Sequence, residues 1–302
     1  MYLQRQFGQL VLSSRVKSEA ILLEIKPFKV CIETSLPAVI DTIKALYSDY
    51  NYFIYDDSVF VDFYIKIEKG GFFRGYSQAQ CYIDGKTPFK PLPLSQAYPF
   101  FEWGLNWIVA SHIHYYLLLH AAVVEKNGHA LILCGKPGAG KSTLCAAMVG
   151  NGWRLFSDEM AIIDLKTNEL VPFVRPVSLK NRSIDLIQEF VPEAVFGPCF
   201  HDTAKGIIAH MKPNSASVFL ANKKAFSKWI VFPQYQEHSQ TLLQSFPKGK
   251  TVLELIKNSF NYNMLGGYGF SNLCQLVDRS DCYNFIYSNL DEAVVLFDQL
   301  LE

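Results

Sequence analysis

The 302-residue sequence has no excess of charge of either sign, since 28 lysines and arginines balance 28 aspartates and glutamates. It also has no long basic run. Proteins that bind nucleic acid through its phosphates need clustered positive charge. We therefore expect no nucleic acid among the partners of this protein.

Paired cysteines, a secretory signal and a clean membrane span are also missing. The seven cysteines are scattered without any C-x-x-C pair, which is typical of free thiols in a reducing compartment. The start of the chain, MYLQRQFGQLVLSS, lacks the basic residues and unbroken apolar core of a signal peptide. The most apolar long window, WIVASHIHYYLLLHAAVV, carries three histidines and makes a poor membrane span. We expect a cytoplasmic protein without a membrane partner.

What the sequence does have is a change of pattern near residue 100. Residues 1–99 combine strand-like runs such as EAILLEIKPFKVCIET with a helical stretch, SLPAVIDTIKALYSDY, and an Asp84-Gly85 turn signal. Beyond residue 100, helical patterns and short buried-strand patterns alternate. Half of the residues are hydrophobic, which is enough for a sizeable core. We predict an N-terminal α+β domain over 1–99 and an α/β domain over 100–302.

Several segments of the second region have clear expected structures. FFEWGLNWIVASHIH is expected to be a helix with core aromatics, and KSTLCAAMVGNG a second helix. YYLLLHAAVVEK, HALILCG and WRLFSDEMAIIDL are expected to be strands. MLGGYGF, with three glycines within residues 264–270, predicts a packed turn or lid, and the last 50 residues otherwise look helical.

A phosphate-binding loop is the strongest signal in the sequence. GKPGAGKS at residues 135–142 satisfies G-x-x-x-x-G-K-[ST] between a strand pattern and a helix pattern. Its glycines let successive N–H groups converge on phosphate oxygens, and the helix start adds its positive dipole end. Lys141 is expected to contact the β- and γ-phosphates, and Ser142 to bind Mg²⁺. The predicted nucleotide-binding residues are Gly135, Lys136, Pro137, Gly138, Ala139, Gly140, Lys141, Ser142 and Thr143.

Two carboxylates follow this loop early. Asp158 and Glu159 lie only 17 and 18 residues after Lys141, which leaves room for one short helix and a tight return. The acidic strand is therefore expected beside the strand that precedes the loop, with Asp158 near the γ-phosphate. One carboxylate can accept a proton from an attacking hydroxyl while the other holds Mg²⁺. A solvated turn is the alternative, which the apolar runs WRLF and MAII on either side disfavour.

These segments together resemble a known family. HAAVVEKNGHALILCGKPGAGKS followed by GWRLFSDEMAII is similar to the catalytic domain of bacterial HPr kinase/phosphorylase over residues 110–215. His120, fifteen residues before Gly135, matches a histidine of that family, and Glu159 replaces its second aspartate. Nearly the whole chain resembles the group called HPr kinase-related kinase A, through segments such as FEWGLNW, RPVSLKN and HDTAKG. The resemblance implies a P-loop core of the HPr kinase/phosphoenolpyruvate carboxykinase-like type.

The same resemblance implies an activity. It indicates ATP- and Mg²⁺-dependent phosphoryl transfer to an acceptor hydroxyl, on a protein, a peptide or a small molecule, with Asp158 as the general base. His120 and Lys141 would complete the catalytic set, and the metal ligands would be Ser142, Asp158 and Glu159. The family works as an oligomer, so a homo-oligomer is one expectation. HPr itself and the reverse phosphorylase reaction are not expected, because no clear arginine-rich loop follows and the first hundred residues differ.

Basic residues further along are candidates for substrate or phosphate contacts. RPVSLKNRS and HDTAKG supply Arg175, Lys180, Arg182, His201, Asp202 and Lys205. Cationic side chains near a transferring phosphoryl group stabilise its developing charge. Solvation at the surface is the alternative for the first segment, and for His120 the alternative is a core-edge histidine with a satisfied hydrogen bond.

Two other functions remain open from the sequence. A nucleotide-binding regulatory module would bind ATP without acting on an acceptor, and its N-terminal domain would be a docking surface. A decarboxylating reaction of the carboxykinase type is the third hypothesis, although the sequence has no second clear set of metal ligands for it.

Overall fold

The computed structural model describes residues 19–56, 58–73 and 76–301, so the N-terminal stretch assessed for a signal peptide lies outside the described residues. Residues 19–93 form a six-stranded sheet in the order β3-β1-β2-β4-β5-β6. Its strands are β1 Glu19–Ile25, β2 Phe28–Thr34, β3 Tyr52–Ile54, β4 Phe63–Phe73, β5 Tyr76–Ile83 and β6 Leu92–Pro93. The Asp84-Gly85 turn is confirmed: both residues have positive φ, 48° and 75°, as a tight hairpin turn requires.

Two helices accompany this sheet. They are α1 Pro37–Leu46 and α2 Ala97–His112. Helix α2 packs against β4 and β5, because its face with Phe101, Leu105 and Ile108 is fully buried. The predicted boundary between residues 99 and 100 falls inside α2, and one continuous core cluster includes residues from both sides of it. The helix therefore packs as part of the N-terminal unit while the chain continues into the second.

The second unit has strands and helices in alternation, so the chain has an α/β fold. Its strands are β7 Tyr116–Leu119, β8 Ala121–Lys126, β9 His129–Cys134, β10 Arg154–Ser157, β11 Ala161–Asp164, β12 Leu170–Val171, β13 Val177–Lys180, β14 Phe200–Thr203, β15 Gly206–Met211, β16 Phe226–Tyr235, β17 Leu242–Ser245 and β18 Asp281–Tyr287. Its helices are α3 Lys141–Gly150, α4 Arg182–Phe190, α5 Ser215–Phe219, α6 Lys248–Lys257, α7 Tyr262–Asp278 and α8 Leu290–Gln299. Within the described residues, no helix is both long and apolar enough to cross a membrane.

The central sheet is mixed, in the order β10-β8-β9-β16-β18-β17. Strands β9, β16 and β18 run parallel, and β8 pairs antiparallel with both β9 and β10. Two antiparallel steps make β10 parallel to β9. The carboxyl ends of β9, β10, β16 and β18 therefore meet at one edge, which is where ligands of open α/β sheets bind.

The expectation that the acidic strand lies beside the strand before the loop was wrong, because β8 separates β10 from β9. The reason is local. Asn127 and Gly128 have φ values of 55° and 83° and join β8 to β9 in a tight hairpin. The hairpin places β8 on one edge of β9, and β16 takes the other, so β10 can pair only on the far side of β8.

Two segments expected to be single strands each change sheets. YYLLLHAAVVEK breaks at His120 into β7 and β8, and WRLFSDEMAIIDL breaks at residues 158–160 into β10 and β11. Strands β7 and β11 pair in a second sheet, β12-β11-β7, while β8 and β10 pair in the central one. Strands β13, β15 and β14 form a third sheet of this unit.

The last 50 residues are not purely helical. Residues 281–287 form β18, which pairs with β16 along its whole length. MLGGYGF lies inside α7, where Gly266, with a φ of 53°, kinks the chain between two helical parts, and most of the segment is exposed rather than packed. The helical prediction for the last 50 residues was wrong at β18, because tertiary pairing overrides weak local propensity.

Candidate functional site

The predicted phosphate-binding loop, residues 135–142, lies between β9 and α3. Gly140 precedes the first residue of α3 and has a φ of 93°, and its carbonyl accepts a hydrogen bond of 3.1 Å from the Tyr287 hydroxyl. Lys141 begins the helix and donates to the carbonyls of Gly135 and Lys136 at 2.6 and 3.1 Å. Burial lowers the pKa of Lys141. The loop thus has the conformation of a cradle at a helix N-terminus, which favours anions.

His120 and the two carboxylates come together because of the two sheet changes. Leu119 pairs with Ala161 in one sheet and Val123 pairs with Ser157 in the other, so the connecting residues lie side by side. The His120 ring donates to the backbone of Glu159 and lies edge-on to Phe260, with ring centroids 5.8 Å apart. Burial first, and then the positive charge of Lys141, lowers the pKa of His120. Both effects favour the neutral form of His120.

Asp158 is a buried carboxylate at the end of β10, only 6% exposed. The backbone N–H of Ser178 donates to its Oδ2 at 3.0 Å. Burial raises the pKa of Asp158 to about 6; the negative charge of Glu159 adds to this, and the nearby Ser142 hydroxyl opposes it. Oδ1 is buried and has no hydrogen-bond partner within the described residues.

These contacts predict an unusual titration. In protein free of nucleotide and metal, Asp158 is expected to titrate near pH 6 rather than at its ordinary value of 3.8. The folded state then binds this proton more tightly than the unfolded state, so the contribution of Asp158 to stability is lost as the pH rises through about 6. Carboxyl-carbon NMR measures this, with Asp158→Asn to assign the signal. A midpoint near 3.8 would contradict the described burial.

Glu159 lies next to Asp158 but in a different electrostatic environment. Its burial would raise its pKa, but the positive charges of Lys180, Arg175 and Lys205 together lower it. Lys180 Nζ lies 3.9 Å from Oε1, and Asn106 Nδ2 donates to Oε2 at 2.5 Å. Asp158 therefore takes up a proton near pH 6, whereas Glu159 stays ionised to lower pH. Two such neighbours suit different roles.

A cavity of about 480 Å³ joins these parts. The loop and the start of α3 form one wall, and the other walls contain His120, Asp158, Glu159, Lys180 and Lys205. Eight residues expected near phosphate from sequence therefore share one space with the two carboxylates: Pro137, Gly138, Gly140, Lys141, Ser142, Thr143, Lys180 and Lys205.

Other candidate residues lie elsewhere. Arg175 is buried behind Glu159, where its Nη1 contacts Glu102 Oε2 at 3.1 Å. It does not line the 480 Å³ cavity. His201 and Asp202 do not line it either and are exposed on β14. Arg182 also lies outside this cavity, at the surface and 3.6 Å from Glu237. Arg175 is thus placed to act on Glu159 and not on a phosphate in that cavity.

Sequence reasoning missed Glu102, Asn106 and Ser178. The segment FFEWGLNW was interpreted as core, yet its Glu102 and Asn106 both contact Arg175. A signal was present, since two polar residues four apart share one face of an otherwise apolar helix. Ser178 acts through its backbone N–H, which no residue type reveals.

The oxygen atoms around Asp158 suit Mg²⁺. A serine hydroxyl and two carboxylates are the hard oxygen ligands that this ion takes, usually with waters completing its shell. Asp158 Oδ1 is a buried acceptor without a described partner. Ser142, Asp158 and Glu159 line the same cavity, so the residues present fit the ion.

Comparison with known proteins adds little. No protein-family model matches the chain, and no curated protein matches it. Among solved structures, the Hpr(Ser) kinase/phosphatase from Coxiella burnetii aligns with 61% of this chain and 96% of its own, at 13% identity and a TM-score of 0.28. A TM-score this low carries no argument about this chain.

Proposed function

We propose that this protein is a kinase that transfers the γ-phosphoryl group of ATP to an acceptor hydroxyl with the help of Mg²⁺. The observation that carries the proposal is the shared cavity, in which the phosphate-binding loop faces the buried carboxylate of Asp158. The resemblance of residues 110–215 to HPr kinase/phosphorylase, and of nearly the whole chain to HPr kinase-related kinase A, supports the same activity. The acceptor is a serine of a protein or peptide, or a small molecule.

The loop and the start of α3 bind the phosphates. Backbone N–H groups of residues 135–143 and the positive end of α3 face the phosphate oxygens, and Lys141 places its charge on the β- and γ-phosphates. Ser142, Asp158 and Glu159 would hold Mg²⁺, which neutralises the charge on the phosphate oxygens when bound. Lys180 and Lys205 stabilise the charge that develops on the transferring group.

Asp158 accepts the proton of the acceptor hydroxyl. A base works best when its pKa lies near the operating pH, and a pKa of about 6 is close to it. The neutral ring of His120 lies in the same cavity, where it can orient the acceptor oxygen by a hydrogen bond without adding charge. Catalysis is then mostly positioning and electrostatics, as in other phosphoryl transfers.

A second cavity, of about 530 Å³, has a place for the nucleoside. It adjoins the first cavity, since Gly138, Gly140, Thr143 and Ser183 line both. Its walls include Tyr235 and Tyr287 at the carboxyl ends of β16 and β18, the edge at which nucleotides bind in α/β sheets. Tyr235 is 42% exposed and its ring packs against Tyr287, with centroids 5.8 Å apart. Its exposed face is available to stack with a purine.

Replacing Tyr235 by Ala is therefore expected to weaken ATP binding about tenfold, since stacking of one base on an aromatic ring contributes about 1–3 kcal/mol. Binding of tripolyphosphate, which has no base, is expected to stay within twofold. Calorimetric titrations measure both. Tyr268→Ala is the matched control, because Tyr268 is also exposed but lines neither cavity. Equal losses for ATP and tripolyphosphate would contradict this placement of the nucleoside.

Calorimetry on the unmodified chain tests the first requirement of the proposal. ATP is expected to bind at one site per chain, more tightly with Mg²⁺ than with a chelator, and Lys141→Met is expected to weaken it strongly. GTP in the same titration reports the preference for the base. If neither nucleotide binds, the proposed function is wrong.

A further inference from the structure

Asn106 connects a catalytic carboxylate to a buried ion pair. Its Nδ2 donates to Glu159 Oε2 at 2.5 Å, and its Oδ1 accepts from Nη2 of Arg175. The amide therefore has one orientation, with its donor toward Glu159 and its acceptor toward Arg175. Neither partner can exchange roles, because a guanidinium only donates and a carboxylate only accepts.

The ion pair next to Asn106, between Arg175 and Glu102, has further contacts to both of its members. Arg175 and Glu102 are 6% and 4% exposed and lie 3.1 Å apart. The hydroxyls of Tyr47 and Tyr98 both donate to Glu102 Oε1 at 2.7 Å. Tyr47 immediately follows α1, so the N-terminal unit supplies part of this support. The guanidinium also stacks on Phe173, 4.7 Å from the ring centroid.

This arrangement leaves the two oxygens of Glu159 in different situations. Oε2 is bound by Asn106, while Oε1 lies 3.9 Å from Lys180, which lines the cavity that contains the phosphate-binding loop. A carboxylate held by one oxygen cannot rotate freely, so the other oxygen keeps one direction. A buried ion pair often adds little to stability, so the Arg175–Glu102 pair calls for another explanation. Hydrogen bonds connect it through Asn106 to Glu159.

We propose that Asn106 and Arg175 are positioning residues that fix Glu159 as a ligand for Mg²⁺, with Glu102, Tyr47 and Tyr98 holding Arg175. The inference rests on the proposed function, because it assigns the support of one residue of that site. It also gives the N-terminal unit a role: its Tyr47 helps to order the metal-binding carboxylate. Partners behind a metal ligand contribute to affinity, and their loss costs about 10–100-fold.

The test measures the metal coupling of ATP binding, defined as the Kd for ATP in a chelator divided by the Kd in Mg²⁺. Asn106→Leu keeps the shape of the side chain and removes both of its hydrogen bonds. We expect its metal-free Kd to stay within twofold of the unmodified protein, and its coupling to fall about tenfold or more. Glu159→Gln is expected to lose the coupling in the same way.

The control is Asn272→Leu. Like Asn106, Asn272 is a helical asparagine with side-chain hydrogen bonds, and it is buried where Asn106 is half-buried. It bonds Asn168 and Tyr268 and lines neither of the two cavities described above. Its substitution removes a buried amide without touching Glu159. The coupling is expected to be unchanged, so a general loss of stability would not imitate the expected result.

A second variant covers the case in which Asn106→Leu does not fold, because Leu leaves Nη2 of Arg175 without the acceptor that Asn106 supplies. Asn106→Ala leaves room for water to satisfy Arg175, and it is expected to lose the coupling as well. The inference is overturned if folded Asn106 variants keep full coupling while Glu159→Gln loses it, a result that leaves the proposed function intact. Full coupling in Glu159→Gln would remove the metal role of Glu159 itself, and no ATP binding by the unmodified chain would overturn both proposals.

Discussion

Replacing Asp158 by Asn is expected to slow phosphoryl transfer from ATP by about 10²–10⁴-fold, the usual contribution of a general base. An amide has nearly the same shape and can still accept the hydrogen bond from the Ser178 N–H. It cannot take up a proton from an acceptor hydroxyl. Binding of ATP without metal is expected to stay within about threefold, because the loop and Lys141 are unchanged.

The rate is measured as transfer of label from γ-labelled ATP to water and to a panel of hydroxyl compounds, and binding is measured by calorimetry. Asp164→Asn is the control. Asp164 ends β11, only six residues after Asp158, and its Oδ2 lies 2.6 Å from Lys224 Nζ. It does not line the cavity. Its substitution is expected to leave the rate unchanged. A normal rate for Asp158→Asn would show that another group takes the proton.

Gly140→Ala is expected to eliminate detectable ATP binding and to destabilise the fold. A Cβ at this position would lie 2.3 Å from the hydroxyl oxygen of Tyr287, a distance that real Cβ atoms do not show. The φ of 93° adds strain, since left-handed conformations cost an L-residue about 1–2 kcal/mol. Tyr287 is only 1% exposed, so its ring has little room to move; we expect the loop to shift instead, together with the N–H groups that we propose bind phosphate.

Gly128→Ala separates the effect of backbone strain from the effect of the clash with Tyr287. Gly128 has a similar φ of 83°, but a Cβ there would meet no atom within 4 Å. Its substitution is expected to lower thermal stability through strain alone and to leave ATP binding unchanged. Thermal unfolding and calorimetry on both variants decide the matter. ATP binding by Gly140→Ala at the normal affinity would mean that this loop does not hold the phosphates.

The loop and its neighbours could be predicted from sequence because their information is local. Glycines at fixed positions, a buried strand before them and a helix after them define the conformation of residues 135–142, and the structure has a strand, a loop and a helix at these places. The closeness of Asp158 to Lys141 along the chain also restricted where that carboxylate could lie. Local patterns of this kind depend little on tertiary contacts, so the sequence alone is enough to predict them.

The order of the strands could have been predicted better. Asn127-Gly128 is a strong hairpin signal, and it implies that β8 and β9 are neighbours before any other pairing is considered. Without this hairpin, the acidic strand β10 was predicted beside β9, whereas β8 lies between them. His120 and Asp158 nevertheless line the same cavity, because each lies at a point where the chain passes from one sheet to another.

The surroundings of Glu159 could not be predicted in the same way. Arg175 comes from a segment between β12 and β13, Asn106 from α2, and Tyr47 from the end of α1. They meet only when the N-terminal sheet packs against the second unit. A basic residue near a phosphate loop was reasonably expected to contact phosphate, and only tertiary structure shows that Arg175 bonds Glu102 and Asn106.

We propose that the γ-phosphoryl group of ATP is transferred in the cavity between the predicted phosphate-binding loop and Asp158. The most direct test follows the label of γ-labelled ATP in the presence of Mg²⁺, with the unmodified chain, Lys141→Met and Asp158→Asn side by side. We predict label in inorganic phosphate or on a hydroxyl compound for the unmodified chain alone, with the two variants lower by at least about 100-fold. ATP bound by the unmodified chain with its γ-phosphate retained against every acceptor, water included, would contradict the claim and identify a nucleotide-binding module instead.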